Sequence, residues 1–153
     1  AGEGDELLRV GAITPALGHA AAKFSALVYA RSELPVNERE KARMRIAQIN
    51  DCPVGLDSRA ASLMQLPASE EHYRHVHEWR DRDDFTVREK LAIEFAERFA
   101  LEHHRIDDDL FARLKAEFSE AEILDLMVCV ASFLGLGRLT KVLDVLPDDP
   151  LVI

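Results

Sequence analysis

Cysteine is scarce in this sequence, and its two occurrences, Cys52 and Cys129, stand alone. Two isolated thiols cannot build the disulfide framework of a small secreted domain. Neither belongs to a CxxC pair, so iron–sulfur clusters and structural zinc sites of the usual spacing are not expected. Free thiols and the lack of a basic region ahead of an apolar run near the start make a cytoplasmic setting the expectation. Positive charge is short too: Lys and Arg total 19 against 28 Asp and Glu, a formal charge of −9. That balance argues against nucleic acid or an anionic membrane surface as a partner. The longest nearly uncharged stretch, Leu126 to Gly137, falls well short of the roughly 20 residues of a membrane span. Alternating apolar and polar residues, the mark of strands, are missing at any useful length, and there is no internal repeat.

What the chain does have is helical periodicity. Its length of 153 residues suits one domain around one core. Residues 1–14 read as a loose, flexible lead-in, residues 15–147 as a single helical domain, and residues 148–153 as a tail. Pro15 opens a helix through about Ser32 with Ala20, Phe24, Leu27 and Val28 as its apolar stripe. Asn37 with Glu40 has capping-box spacing and starts a helix to about Asn50. Pro53 suits the first turn of the next, to about Gln65, and Pro67 to Glu70 restart another through Trp79. Thr86 with Glu89, Asp107 to Asp109, and Ser119 with Glu122 mark three further starts. The Ile123 to Leu134 segment carries Asp125 as its one charge and is expected to be the central helix, or to lie partly in a subunit interface. A last helical piece reaches Leu146, where Pro147 stops it. The fold class is therefore all-α, a bundle of about seven helices.

The stretch from Leu34 to Asp57 reads LPVNEREKARMRIAQINDCPVGLD. It resembles the carboxymuconolactone decarboxylase and alkylhydroperoxidase-like (AhpD-like) family, in which a helix carrying glutamate leads into a cysteine turn. Glu40 and Cys52 have the spacing of the family's glutamate and first cysteine. The segments Glu78 to Phe99 and Asp108 to Leu126, and the closing Gly137-Arg138-Leu139, fit its longer members. The resemblance implies the all-α fold. For redox-active members it implies peroxide reduction by a CxxC pair, with glutamate and a histidine relaying protons. Here Gly55 holds the place of the second cysteine and Arg59 that of the histidine. A single-cysteine reaction would run through Cys52, with Glu40 shaping proton flow and an outside thiol as reductant. Two other readings stay open: a thiol-independent, lactone decarboxylase-like enzyme, and a non-catalytic scaffold for a small ligand or partner.

Each candidate residue has a plainer explanation beside the functional one. Cys52 precedes Pro53 at an expected helix start, where unpaired N–H groups favour an anionic sulfur; it is equally a small apolar residue in a turn. Glu40 falls in an apolar stripe with Met44 and Ala47, so its carboxyl is hydrogen-bonded or functional, and a cap with Asn37 would account for it. Arg59 and Arg138 could steady an anion, and Trp79 could line a pocket or act as an anchor. Cys129 lies among Val128, Val130 and Ala131, and core packing explains it. At about 100° per residue His72 and His75 share a helix side while His77 points away, so neither they nor the adjacent His103 and His104 form a metal set. No metal or cofactor is expected. A homo-oligomer is expected, since so apolar a helix as 123–134 needs a cover.

Overall fold

The computed structural model describes residues 6–59 and 69–145. Among them are eight α-helices: α1 (Glu6–Ile13), α2 (Pro15–Arg31), α3 (Val36–Asn50), α4 (Pro53–Asp57), α5 (Ser69–Arg74), α6 (Val87–Leu101), α7 (Asp108–Glu117) and α8 (Glu120–Val142). Single 3₁₀ turns cover Val76–Glu78 and His103–Arg105. No sheet is present among the described residues, and the all-α class holds. The expected ends of the third helix near Gln65, its restart at Pro67, the Pro147 stop and the 148–153 tail lie outside the described residues.

Local chemistry sets most helix starts. Thr86 Oγ1 accepts from the Glu89 amide (3.2 Å) while the Glu89 carboxylate accepts from the Thr86 amide (2.8 Å). Ser119 and Glu122 exchange the same pair of bonds, and Asp107 accepts from the Leu110 amide at 3.0 Å. The first two are the reciprocal caps that the spacing foretells, and Asp107 caps in one direction only. The third such spacing misleads. Helix α3 begins at Val36 behind Pro35, with no side-chain cap. Asn37 is thus already inside the first turn, and Glu40 does not close a box with it.

Helix α3, not α8, is the centre of the bundle, packing most extensively against α6 and α8. Glu38, Arg39, Glu40, Lys41 and Arg43 are all buried on it. Burial of so many charges is tolerable because each finds a partner. Glu38 meets Arg88 (2.8 Å), Lys41 meets Glu89 (3.1 Å), and Glu40 meets Arg43 (2.9 Å). One side of α3 joins the main core of Ile46, Phe95, Leu110, Leu114, Leu126 and Val130. Its other side joins a smaller core of Met44, Tyr73, Val76, Trp79, Phe85 and Ile93.

Helix α8 is one continuous element through Val142 rather than a helix to Leu134 and a separate piece. Its inner face supplies Ile123, Leu126, Cys129, Val130 and Phe133 to the core; Leu124, Leu139 and Val142 stay exposed. By length and composition it could cross a membrane, but its inner face is engaged by the bundle. Helix α2 likewise departs from expectation: Val28 alone of its apolar stripe is buried, while Phe24 and Leu27 face outward. The expected loose lead-in contains α1, which packs on α2. A Cβ on Gly18 would stand 2.2 Å from the Gly11 carbonyl oxygen, so two glycines let these helices touch.

Candidate functional site

Helix α3 ends in a turn that places Cys52. Asp51 takes a left-handed conformation (φ 48°), and the Asp51 and Cys52 amides donate back to the Gln48 and Ala47 carbonyls. This is the Schellman pattern. The Cys52 carbonyl then accepts from Leu56, the first bond of α4. One residue therefore closes α3 and opens α4. Its side chain turns inward, 2 % exposed, and faces a cavity of about 610 Å³. The cavity lies between α1 and α2 on one side and α3, α4 and α8 on the other.

The Cys52 sulfur lies 3.1 Å from the Thr140 hydroxyl, and that hydroxyl donates to the Gly137 carbonyl at 2.9 Å. A hydroxyl has one proton, so in this arrangement the thiol is the donor to Thr140. The sulfur makes no capping bond to the amides of α4. The stabilisation expected from the helix start is not drawn on here.

Arg43 is the hub of the site. Its Nε donates to Glu40 (2.9 Å), its Nη1 to the Gly55 carbonyl (2.6 Å) and its Nη2 to the Ser58 carbonyl (2.7 Å). The side chain is 3 % exposed and is the one charged group on the wall of the cavity among the described residues. It ties the middle of α4 at Gly55 and its C-terminal cap at Ser58 to α3. Glu40 itself is fully buried behind it and is not on the cavity wall. Its Oε1 lacks a hydrogen bond, as does Arg39 Nε, 3.9 Å away. Tyr29 borders this trio. Burial first of all pushes its phenol up to about 12, against the pull of Arg43.

The other sequence candidates fall elsewhere. Arg59 makes a two-pronged ion pair with Glu70 and stacks over Tyr73 rather than reaching Cys52. Arg138 donates to Asn50 Oδ1 at 2.9 Å, and Asn50 Nδ2 donates to the Leu134 carbonyl, which joins the end of α3 to α8. Trp79 is a buried anchor in the smaller core under the Arg80 guanidinium. Cys129 sits in the main core against Ser32, its thiol pushed up chiefly by burial. His72 faces Asp84 (3.0 Å) and His75 faces Glu78 (3.2 Å). Among the described residues no three His, Cys, Asp or Glu side chains cluster as metal ligands. Sequence reading brought Glu40 and Cys52 to the same neighbourhood but passed over Arg43, Tyr29, Asn50 and Thr140. Only Arg43 carried a local signal, three residues beyond Glu40 on the same helix.

A model of the carboxymuconolactone decarboxylase family matches residues 15–98. The uncharacterized protein YdfG of Bacillus subtilis is 23% identical over 111 residues, 72% of this chain and 76% of its own length. Among solved structures, an uncharacterized peroxidase-related protein from Silicibacter sp. TM1040 superposes with a TM-score of 0.78 at 18% identity, over 92% of this chain and 75% of that one. The alkylhydroperoxidase AhpD core of a peroxidase-related protein from Ralstonia eutropha JMP134 gives 0.76 at 20% identity, over 92% and 75%. At such identities these two likenesses speak to the fold.

Proposed function

The chain belongs to the carboxymuconolactone decarboxylase family, and from that scaffold we propose that it is a divergent member whose Cys52 cavity binds a small, largely apolar molecule. The observation that carries this reading is the cavity itself. At about 610 Å³ it has the size of a ligand site, and its wall is largely Ala, Gly, Val and Leu, with Arg43, Tyr29, Asn50 and several Ser and Thr side chains among them. Glu40 is engaged by Arg43, Gly55 stands for the resolving cysteine and Arg59 for the relay histidine, which favours binding over two-thiol chemistry. The test is calorimetric titration of 1-decanol into the protein. Saturable binding lost in Ala21→Phe, which fills the cavity, is the expected result; no heat of binding would overturn the reading.

A second reading is thiol-dependent peroxide reduction, supported by the position of Cys52 on the cavity wall. The sulfur would attack one peroxide oxygen and release the other as alcohol or water. Two equivalents of an added small thiol would then return the sulfenic acid to thiol, with water and a disulfide as products. Peroxide consumption that requires added thiol and disappears in Cys52→Ser is its signature; equal rates in the two proteins would dismiss it. In either case we place the protein in the cytoplasm, as its two free thiols suit. A homo-oligomer covering the outward apolar residues of α2 and α8 completes the proposal.

A further inference from the structure

We propose that the ligand of the Cys52 cavity is an apolar molecule bearing a single carboxylate, seated with that carboxylate on Arg43 beside the Tyr29 hydroxyl. The inference rests on the binding reading above and adds the ligand's chemical class.

The first support is the charge balance around the wall. Arg39, Glu40 and Arg43 form a buried trio with two guanidinium groups and one carboxylate. One positive charge is left over, and Arg43 alone of the three faces the cavity. The buried pair Lys41–Glu89 is neutral in itself, and the Glu38, Arg88 and Glu122 group, with one net negative charge, has no member on the cavity wall. A buried unbalanced cation is costly unless an anion joins it.

The second support is unused donors. A guanidinium has five N–H groups. Arg43 commits one from each nitrogen, to Glu40, Gly55 and Ser58. One N–H on each terminal nitrogen remains, and these are donors that a carboxylate can take up. Tyr29 also lines the cavity, and its hydroxyl has no hydrogen-bond partner among the described residues. It is held protonated by burial and so can donate. Ser132, 4 % exposed on the α8 wall, carries a further hydroxyl with no hydrogen-bond partner among the described residues.

The third support is what surrounds this polar spot. Leu17, Ala21, Ala22, Ile46, Phe133 and Leu136 give an apolar lining that suits a hydrocarbon body. A second charge on the ligand would find no counter-ion there. Polar dicarboxylates and phosphate esters are therefore disfavoured, and a medium-chain or aromatic monocarboxylate is favoured.

The experiment compares decanoate with 1-decanol, which share a chain length and differ in the head group. Calorimetric titration at pH 8 is expected to give decanoate an affinity at least about tenfold tighter, the yield of one charge-assisted hydrogen bond or more. Tyr29→Phe is expected to weaken decanoate by about three- to tenfold and decanol by clearly less, since a bond to a charged acceptor is the stronger one. Arg43 also holds α4, so Arg43→Lys is read only alongside an unchanged circular dichroism spectrum; it keeps the charge, loses the guanidinium donors, and should narrow the gap between the two ligands. Decanol binding as tightly as decanoate would overturn the carboxylate assignment and leave the cavity reading standing. So would a Tyr29→Phe loss of equal size for both ligands. If neither ligand binds, the cavity reading itself falls.

Discussion

Gly55 occupies the position of the family's second thiol, and the packing beneath it leaves no room for one. A Cβ there would lie 2.9 Å from the Ala47 Cβ and 3.8 Å from the Cys52 sulfur. Ala47 is on the central helix and cannot yield as a flexible side chain would. Gly55→Cys is therefore expected to lower stability by about 1–3 kcal/mol, the usual cost of overpacking. Adding Ala47→Gly should recover much of it in urea unfolding, beyond the cost that Gly itself brings to a helix; a fully additive double variant would show the contact to be irrelevant. The tyrosines give a second test. Burial is the largest cause raising both Tyr29, to about 12, and Tyr73 above their ordinary 10.0. The folded protein should thus show no phenolate step in absorbance near pH 10, whereas the unfolded chain should. The sign follows: a raised folded value means stability fully present below pH 10 and lost as the pH climbs toward 12. A native step at pH 10 would contradict the burial of both rings.

At the scale of elements, the lesson lies in α3. Its caps and charges are what a surface helix would have, yet it is the most enclosed element of the bundle. Periodicity of apolar residues finds helices buried by apolar contact. It has no means of finding one buried through ion pairs, whose partners Arg88 and Glu89 lie on another helix. The caps at Thr86, Asp107 and Ser119 were legible because donor and acceptor sit within one turn of chain. The false cap at Asn37 has the same spacing, but Pro35 starts the helix earlier. Helix α8 outran its expected end because neither of its late glycines breaks it: Gly135 meets open space, and Gly137 gives Asn50 room at 3.0 Å. Cys52 was found through its spacing from Glu40, whereas Thr140 and Tyr29 reach the cavity from distant helices and left no local mark. The brace itself can be tested. Arg43→Ala leaves Glu40 buried without its closest partner and frees two carbonyls of the α4 segment. A loss of about 3–5 kcal/mol in urea unfolding is expected; a loss below about 1 kcal/mol would mean that Glu40 and α4 are held by other contacts.

The whole molecule carries its most apolar helix half uncovered. Leu124, Leu139 and Val142 of α8 and Phe24 and Leu27 of α2 are exposed together with Leu143. Apolar side chains in such number on two helices are what the proposed homo-oligomer would cover. Sedimentation equilibrium at micromolar concentration should give at least twice the 17.2 kDa of one chain. Leu124→Glu combined with Val142→Glu should shift the mass toward the single chain, and a wild-type mass of one chain would dismiss self-association.

The Cys52 turn works entirely through main-chain atoms: an amide that closes α3 and a carbonyl that opens α4. Neither bond depends on what hangs from the α-carbon. The sulfur is thus a passenger on a corner that any residue of ordinary backbone preference can form, here at φ −94° and ψ 110°. Shape and reactivity are inherited separately at this point. A lineage can exchange the thiol at this corner or abandon it while the corner still folds, whereas at Gly55 the packing of Ala47 has closed over the place of a second one.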